Sequence, residues 1–415
     1  MKHCVIIGGG IVGLSCAYFL NKAGHQVTVI DQGAMDGGAS YVNAGYLAPS
    51  HIIPLSSPGM MKKGLKWMFN ASSPLYIKPR LDTDFLQWAM AFNRSCNPTH
   101  VKRAIPAIKD ISLLSRELYE SIRKDEDFSF QLEKKGLLML CQTEKALEAE
   151  AKVIDLAKAE DLPCDVLTAG EIKKLMPQTK MDILGGTFYE CDYHTTPHEF
   201  MEELKILLVK RGVTIRKNEM VLDFAITGEK VTHVKTERQD VIKADEFVLA
   251  AGSWTPLLAK KLGLKILLQA GKGYRINTTT STGITLPAIL AEAKVAVTPM
   301  NGFTRFAGTM EIAGINQKIN HVRVEAIARA ATRYFPEVSL TAKEKQEAQS
   351  GLRPVTPDGL PYIGRTSKCK NLTFATGHAM MGWSLGPATG LLVSEVIDDK
   401  KPSLNLSLYM PERKF

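Results

Sequence analysis

The feature that most constrains this chain is a glycine-rich turn near its start, set between a short strand and a helix. Residues 3–7 form an apolar, β-branched run, the glycines of Gly8–Gly13 follow directly, and Ile11–Ala23 has the composition of a buried helix. A second apolar run, Gln26–Ile30, leads to Asp31. This order of strand, turn, helix and strand predicts a βαβ unit with a parallel sheet and a right-handed crossover.

The turn matches the pattern G-x-G-x-x-G through Gly8, Gly10 and Gly13. At such a turn, backbone N–H groups can approach a pyrophosphate at the positive end of the helix, and a carboxylate after the second strand can accept hydrogen bonds from a ribose. Asp31 stands at that position, 21 residues after Gly10. The complete unit predicts a bound dinucleotide, and the acid favours FAD or NAD over NADP because it would repel a 2′-phosphate.

Length and composition indicate a globular protein with two domains that share a cleft. The 415 residues are about twice the usual domain size, and 45% hydrophobic with 23% charged residues excludes disordered, collagen-like and coiled-coil classes. The 52 Lys and Arg residues exceed the 43 Asp and Glu residues by nine. This mild excess favours anionic ligands or an anionic surface over a nucleic-acid partner.

The cysteines predict a cytoplasmic protein with reduced thiols. There are seven, an odd number, and they are scattered without the C-x-x-C spacing of a disulfide framework or a zinc site. We therefore predict no metal. No run of 18 apolar residues occurs, so no membrane-spanning helix is predicted, and the glycines at 8–10 disfavour a signal peptide.

The remaining chain alternates helical and strand-like patterns. Helices are predicted at Thr83–Asn93, Ala104–Lys124, Thr143–Ala159, Pro197–Arg211 and Val322–Tyr334, and strands at Gly136–Cys141, Gly185–Glu190, Phe247–Ala250 and Leu372–Ala375. Strand-like segments with a hairpin turn at Thr227–Lys230 fill Val213–Ala250, and others recur over Ile266–Gly314. Gly351–Gly364 is predicted to be a loop, and a helix follows the last glycine-rich turn and ends near Ile397.

Four segments outside the βαβ unit carry a more specific signal. They are GASYVNAG at 38–45, DEFVLAAGSW at 245–254, GLRPVTPDGLPYIG at 351–364 and TGHAMMGW at 376–383. In this order they resemble the D-amino-acid oxidase/dehydrogenase superfamily of FAD enzymes, and most closely its bacterial D-amino-acid dehydrogenases. The resemblance spans essentially the whole chain.

The resemblance implies an α/β fold, with a Rossmann-like FAD-binding domain and an antiparallel-sheet (α+β) substrate domain. The FAD-binding domain would be assembled from residues 1–82, 196–264 and 351–415. The substrate domain would be inserted twice, as residues 83–195 and 265–350. The active site would then lie between the two domains.

The resemblance also implies which residues bind FAD. We expect the cofactor to be held without a covalent bond, because no cysteine occupies the position that some relatives use for attachment. Asp31 stands where the family often has Glu, and Gln32 replaces a frequent basic residue. The predicted cofactor residues are Gly8, Gly10, Ile11, Val12, Gly13, Asp31, Gln32, Ser40, Asn43, Ala44, Gly45, Tyr46, Leu47, Val221, Ala251, Gly252, Trp254, Gly351, Arg353, Gly377, His378, Met381, Gly382, Trp383, Ser384 and Leu385.

Four residues are predicted to act on the substrate. Arg353 matches the carboxylate-binding position of the family, where a planar guanidinium can grip a carboxylate at two points. A structural ion pair or a pyrophosphate contact remains the alternative for Arg353. Tyr274, His51 and His378 are secondary candidates, with cross-strand packing as the alternative for the tyrosine and a hydrogen-bonded, non-catalytic role as the alternative for each histidine.

The activity that the resemblance implies is oxidation of small D-amino acids or cyclic imino acids, of the D-proline or hydroxyproline type. Hydride transfer to the flavin would give an imino acid and then a 2-oxo acid. Met380 stands where the related glycine oxidases have Arg, which argues against that subgroup. A secondary-amine or 2-hydroxy-acid oxidase on the same scaffold and a non-catalytic flavin electron-transfer subunit remain alternatives.

The stretch that begins at Met60 combines basic and apolar residues. With helical spacing, the lysines at 62, 63 and 66 fall on one face and the apolar residues at 60, 61, 65, 68 and 69 on another. Such a helix could lie on the inner face of the cell membrane, near a quinone that accepts the electrons. A helix packed on the substrate domain with solvated lysines is the alternative.

Overall fold

The computed structural model describes residues 1–61, 64, 75–78, 80 and 82–415. The lysines and most apolar positions of the basic stretch lie outside these residues. Within the described part, no helix is both long and apolar enough to cross a bilayer. In the same part, no group of three or more His, Cys, Asp or Glu side chains is placed to hold a metal ion. All seven cysteines are free thiols.

Strands and helices are interspersed along the described chain. The strands are β1 (His3–Ile7), β2 (Gln26–Ile30), β3 (Tyr46–Leu47), β4 (Leu75–Ile77), β5 (Leu132–Glu133), β6 (Leu137–Cys141), β7 (Cys164–Thr168), β8 (Gly185–Tyr189), β9 (Tyr193–Thr195), β10 (Thr214–Arg216), β11 (Val221–Thr227), β12 (Lys230–Thr236), β13 (Val241–Lys243), β14 (Glu246–Leu249), β15 (Gln269–Thr278), β16 (Ala288–Leu290), β17 (Val295–Met300), β18 (Phe303–Ile312), β19 (Gln349–Val355), β20 (Tyr362–Arg365) and β21 (Leu372–Thr376). The α-helices are Ile11–Lys22, Ala39–Val42, Thr83–Ser95, Pro98–Asp125, Glu144–Lys158, Ala169–Leu175, Pro197–Lys210, Thr255–Lys261, His321–Tyr334, Ala342–Gln346 and Gly382–Ile397.

Two large sheets organise the fold. The first has the strand order β10-β2-β1-β14-β21-β20, in which only β20 runs antiparallel to its neighbour. The second, mainly antiparallel, follows the path β19-β15-β18-β17-β16-β6-β8-β7, and β4 pairs with β18. A parallel nucleotide-binding sheet and a separate antiparallel sheet confirm the predicted fold class.

The domain boundaries stay a prediction. At two strands, β4 and β19, the predicted boundaries do not match the division of the strands between the two sheets. β4 and β19 come from segments that the prediction gives to the FAD-binding domain, yet both pair in the antiparallel sheet. The first sheet, in contrast, draws its strands only from 1–82, 196–264 and 351–415. The predicted boundaries and the sheets therefore do not coincide at these two strands.

Two local predictions were wrong. The loop predicted at Gly351–Gly364 contains most of β19 and part of β20. Pro354 is tolerated there because β19 is an edge strand, where a missing N–H costs no ladder bond. The helix predicted from Ala104 begins at Pro98, because the Asn97 side chain caps it by accepting from the His100 N–H at 2.8 Å, and proline is compatible with the first turn.

Helices Ile11–Lys22 and Gly382–Ile397 pack against each other through two glycines. A Cβ on Gly386 would fall against Ile11, and a Cβ on Gly390 would overlap the backbone of Ser15. From Gly386 to Gly390 the last helix advances by four residues, and its contact on the first helix advances by four as well, from Ile11 to Ser15. Both advances follow the chain direction, so the two helices are parallel. Their amino ends therefore lie side by side.

We predict that Gly390→Ala lowers the free energy of unfolding by about 1–3 kcal/mol, because the added methyl group forces the two helix backbones apart. Denaturant unfolding followed by circular dichroism measures this change. The control is Gly170→Ala, another helical glycine, whose added Cβ would meet only Thr168 Oγ1 at 3.9 Å. It should be neutral or slightly stabilising. Equal effects of the two variants would contradict the close-packing argument.

Candidate active site

Four neighbouring parallel strands end at one edge of the first sheet, and each is followed by a segment predicted to bind the cofactor. The strands β2, β1, β14 and β21 are adjacent in that order. Asp31 follows β2, Gly8 follows β1, Ala250 follows β14 and Gly377 follows β21. Ligands of open α/β sheets bind at the carboxyl ends of the strands. The fold therefore brings together predicted cofactor segments as far apart in the sequence as Gly8 and Gly377.

The glycines of the first turn permit backbone to meet backbone. Gly8 has φ of +112°, and a Cβ there would overlap the carbonyl group of Ala250. A Cβ on Gly13 would overlap the carbonyl oxygen of Gly8. The start of the helix is thus held directly against the strand ends, where only glycine fits.

The Asp31 carboxylate is held in a fixed orientation by two backbone N–H groups. Gly9 N–H donates to Oδ2 at 2.6 Å and Gly33 N–H donates to Oδ1 at 2.7 Å. Each oxygen keeps a further lone pair, so the carboxylate can still accept ribose hydroxyl groups. This arrangement fits the predicted contact with the FAD ribose.

Two helix amino ends point at the same edge. The N-cap residue of helix Ile11–Lys22 is Gly10, and that of helix Gly382–Ile397 is Met381. Neither forms a capping hydrogen bond through a side chain, so N–H groups at both helix ends are left for a ligand. Ser40 Oγ accepts from the Ile11 N–H at 2.9 Å. Because each helix end carries about half a positive charge, the pair suits a pyrophosphate and a flavin ring that becomes anionic on reduction. The donors and the glycine cradle fit FAD.

Residues 43–47 are all predicted cofactor residues, and this segment, the flavin loop, is fixed to the antiparallel sheet. Thr298 Oγ1 donates to the Ala44 carbonyl oxygen at 2.7 Å, and the Tyr46 hydroxyl donates to Val297 O at 2.9 Å. The buried Arg305 donates through Nη1 to Tyr41 O at 2.8 Å and to Asn43 O at 2.7 Å. These bonds hold the flavin loop against β17 and β18.

The other predicted cofactor residues surround this framework. Gly351 packs against the helix Ala39–Val42, where an added Cβ would overlap Val42. Trp383 Nε1 donates to Thr195 Oγ1 at 2.9 Å and Ser384 Oγ donates to Tyr46 O at 2.6 Å, so both side chains tie the second helix end to the loop region. Val221 is buried at the start of β11, and its contact with adenine stays a prediction.

Arg353 lies on β19 and its guanidinium covers Gly273 of β15. A Cβ on Gly273 would overlap three atoms of that guanidinium. Nη1 donates to the carbonyl oxygen of Thr309 at 2.8 Å. Among the described residues, no Asp or Glu forms an ion pair with Arg353. Burial lowers the pKa of Arg353 to about 10. The guanidinium therefore stays positively charged at neutral pH, although no carboxylate of the described chain pairs with it.

Tyr274 lies on the opposite face of the same sheet. The pairs Gly271–Arg353 and Gly273–Gly351 share one face, whereas Tyr274 pairs with Ser350 on the other. Its hydroxyl donates to Glu311 Oε2 at 2.9 Å, and its ring is 1% exposed within an apolar cluster. This placement favours the packing alternative, and a direct contact of Tyr274 with the substrate stays a prediction.

Both candidate histidines are held in their neutral form. Burial lowers the pKa of His51 to about 4 and that of His378 to about 3. His378 Nε2 lies 2.9 Å from Thr389 Oγ1, which fits a hydrogen-bonded, non-catalytic histidine. A proton-accepting role for either residue stays a prediction.

The sequence did not single out a buried acid beside the flavin loop. Asp192 is fully buried, and it accepts from Ser50 Oγ at 2.5 Å and from Ser50 N–H at 3.1 Å. Burial raises the pKa of Asp192 to about 7 despite these bonds. No local motif marks this contact, because the partners are 142 residues apart. The contact of Arg353 with Gly273, in contrast, did have a sequence signal. Two glycines within a strand-like segment, at 271 and 273, indicate that another group approaches the backbone closely.

Asp192→Asn should change how stability depends on pH. The folded-state pKa exceeds that of an unfolded Asp, so the parent loses stability as pH rises from about 4 to about 7, and the variant does not. The difference in unfolding free energy, variant minus parent, should grow by about 1.4 kcal/mol per pH unit in that window. Urea titrations from pH 4 to 8 measure it. A difference that stays flat across this pH range would contradict the prediction.

Comparisons with known proteins agree with this geometry. A family model described as DAO, FAD dependent oxidoreductase, matches residues 3–396. A D-amino acid dehydrogenase of Methylobacterium radiotolerans is 30% identical over 409 residues, covering 97% of both chains, and one of Vibrio vulnificus is 32% identical over 400 residues, covering 95% of both. The crystal structure of glycine oxidase from Geobacillus kaustophilus superposes with a TM-score of 0.79 at 21% identity over the full length of both chains, a likeness of fold.

Proposed function

The chain belongs to the family of FAD-dependent oxidoreductases described by the DAO model, and on this premise we propose that it oxidises small D-amino acids or cyclic imino acids. The product would be an imino acid, which water converts to a 2-oxo acid when the nitrogen is primary. The names of the relatives, D-amino acid dehydrogenases at 30–32% identity over nearly the full length, support the substrate class.

One observation carries the proposal: a charged, half-buried guanidinium without an acidic partner from the described chain, on the strand whose Gly351 packs against the helix Ala39–Val42 that precedes the flavin loop. Its one hydrogen bond within the described residues goes to Thr309 O, so the other N–H groups of Arg353 are available for a carboxylate. A bidentate pair fixes both position and orientation of the substrate. Every α-amino acid and imino acid carries the carboxylate that this site requires.

The chain's residues would orient the substrate and stabilise charge. Bound FAD would supply the redox chemistry by accepting a hydride from the substrate α-carbon. Arg353 would hold the carboxylate so that the α-carbon faces the flavin, and the amine must be neutral so that its lone pair can form the C=N bond. The two helix amino ends would stabilise negative charge at the cofactor. His51 and His378 would remain neutral.

The electron acceptor and the cellular location are also proposals. We propose a quinone as acceptor, with the protein in the cytoplasm and in peripheral contact with the inner face of the membrane. The net charge of +9 and the lysines at 62, 63 and 66 support contact with anionic lipid. Retention of all protein in solution with anionic vesicles at low salt would count against it.

Anaerobic mixing tests the reaction. The FAD-loaded protein is mixed with D-alanine, D-proline, D-hydroxyproline, their L-enantiomers, sarcosine and D-lactate while the visible flavin absorbance is followed. We expect bleaching with D-amino or imino acids, faster at high pH because the free amine reacts. Bleaching with D-lactate or sarcosine alone would favour the 2-hydroxy-acid or secondary-amine alternative, and no bleaching would favour an electron-transfer subunit.

Arg353→Ala should reduce kcat/KM by about 2–5 kcal/mol of transition-state stabilisation, roughly 30- to 5,000-fold, as truncation of a desolvated charge partner does. Steady-state kinetics on FAD-loaded protein measures the loss. Arg275→Ala is the control, because this half-buried arginine lies on the same sheet face but donates to Gln349 Oε1 at 2.6 Å. A change below threefold for Arg353→Ala would exclude the carboxylate role.

A further inference from the structure

We propose that Tyr274 and Glu311 are positioning residues for the substrate carboxylate, although they lie on the sheet face that turns away from Arg353. They act by holding a backbone bulge in β18 whose carbonyl group orients the guanidinium. This inference rests on the proposed role of Arg353. It assigns a function to a buried polar network that the reaction does not touch.

The bulge lies directly opposite Gly273. Tyr274 pairs with Gly308 and Lys272 pairs with Glu311, so a single residue of β15, Gly273, faces two residues of β18, Thr309 and Met310. This two-against-one count defines a β-bulge. The extra residue redirects the local backbone of β18 at the point where the guanidinium covers Gly273.

The bulge contains an unfavourable backbone conformation. Thr309 has φ of +59°, in the left-handed region that β-branched residues rarely adopt. Its hydroxyl group is buried without a hydrogen-bond partner in the described chain. Such a conformation persists only when surrounding contacts enforce it. The conformation aims the Thr309 carbonyl oxygen at Arg353 Nη1, 2.8 Å away.

The enforcing contacts come from Glu311, the second residue after Thr309. Its Oε2 accepts from the Tyr274 hydroxyl at 2.9 Å and lies 3.2 Å from Arg323 Nε, and its Oε1 lies 3.5 Å from Lys272 Nζ. The carboxylate, 7% exposed, is therefore bound from both residues that flank Gly273 on β15. These contacts fix the register of β18 on one side of the bulge.

The two faces of the sheet are thus linked through a few atoms. Behind the sheet, Glu311 is anchored to Tyr274 and Lys272, and in front the Thr309 carbonyl oxygen is the acceptor that sets the direction of Arg353. If the register relaxes, this acceptor moves. A misplacement of about 1 Å in the group that binds the carboxylate is enough to weaken ligand binding measurably.

Tyr274→Phe removes only the hydroxyl group and tests the link in the FAD-loaded enzyme. Acetate serves as the carboxylate probe, and its Kd is read from the change in the flavin spectrum. We expect the Kd of acetate and the KM of the best substrate to rise about 3- to 30-fold, in line with couplings of residues that do not contact the ligand. Because Arg353 anchors the substrate equally before and during reaction, kcat should change less than twofold.

Tyr334→Phe is the matched control. Tyr334 is also 1% exposed in the same apolar cluster, and its hydroxyl also donates to a glutamate, Glu292, which is not a residue of the bulge. The control should leave the Kd of acetate unchanged. Equal changes for the two variants would overturn the inference, because they would reflect a general loss of buried polar contacts.

Two further variants complete the test. Adding Tyr274→Phe to Arg353→Lys should weaken acetate binding no further, whereas additive effects would overturn the link. Glu311→Gln keeps an acceptor for Tyr274 and should shift the Kd less than Glu311→Ala. If Arg353→Lys alone leaves acetate binding unchanged, the proposed function fails. If only the Tyr274 and Glu311 variants leave it unchanged, the positioning inference fails and the proposed function stands.

Discussion

The structure depends on the close approach of backbone to backbone at a few glycines. Gly8 against Ala250 and Gly13 against Gly8 bring the first helix onto the ends of β1 and β14, and Gly390 against Ser15 brings the last helix alongside the first. Two parallel helix dipoles side by side repel each other, and that cost is offset when an anion sits at both amino ends. The parallel packing of the two helices therefore favours binding of an anionic cofactor at their amino ends.

A buried cation couples this edge to the second sheet. Arg305 on β18 donates to two carbonyl groups that end the helix Ala39–Val42, and burial lowers the pKa of Arg305 to about 9. Charged donors to helix-end carbonyls are favourable because those groups lack partners. The flavin loop is thereby fixed over the strands that bear Gly273 and Thr309. Arg353 and the loop predicted to bind the flavin are therefore held by the same antiparallel sheet.

The sequence predicts the local part of this site and misses the part that depends on register. The turn, the helix and Asp31 follow one another within 31 residues, so spacing alone identifies them. The face on which Tyr274 lies depends on its pairing with Ser350, 76 residues away, and a slip of one residue would reverse it. Thr309 has no sequence signal for a positive φ. The motif at 351–364 identified Arg353 as a candidate, but only the pairing of β19 with β15 shows that its guanidinium covers Gly273.

A comparison of two arginines on the same sheet explains why one is structural and the other is suited to bind a ligand. Arg305 donates three hydrogen bonds, to Asn277 Oδ1 at 3.0 Å and to two carbonyl oxygens, whereas Arg353 donates one within the described residues. Burial lowers the pKa of both, to about 9 and about 10. A desolvated cation with few partners gains most from a carboxylate. The number of donors that the described chain already satisfies therefore distinguishes the two arginines.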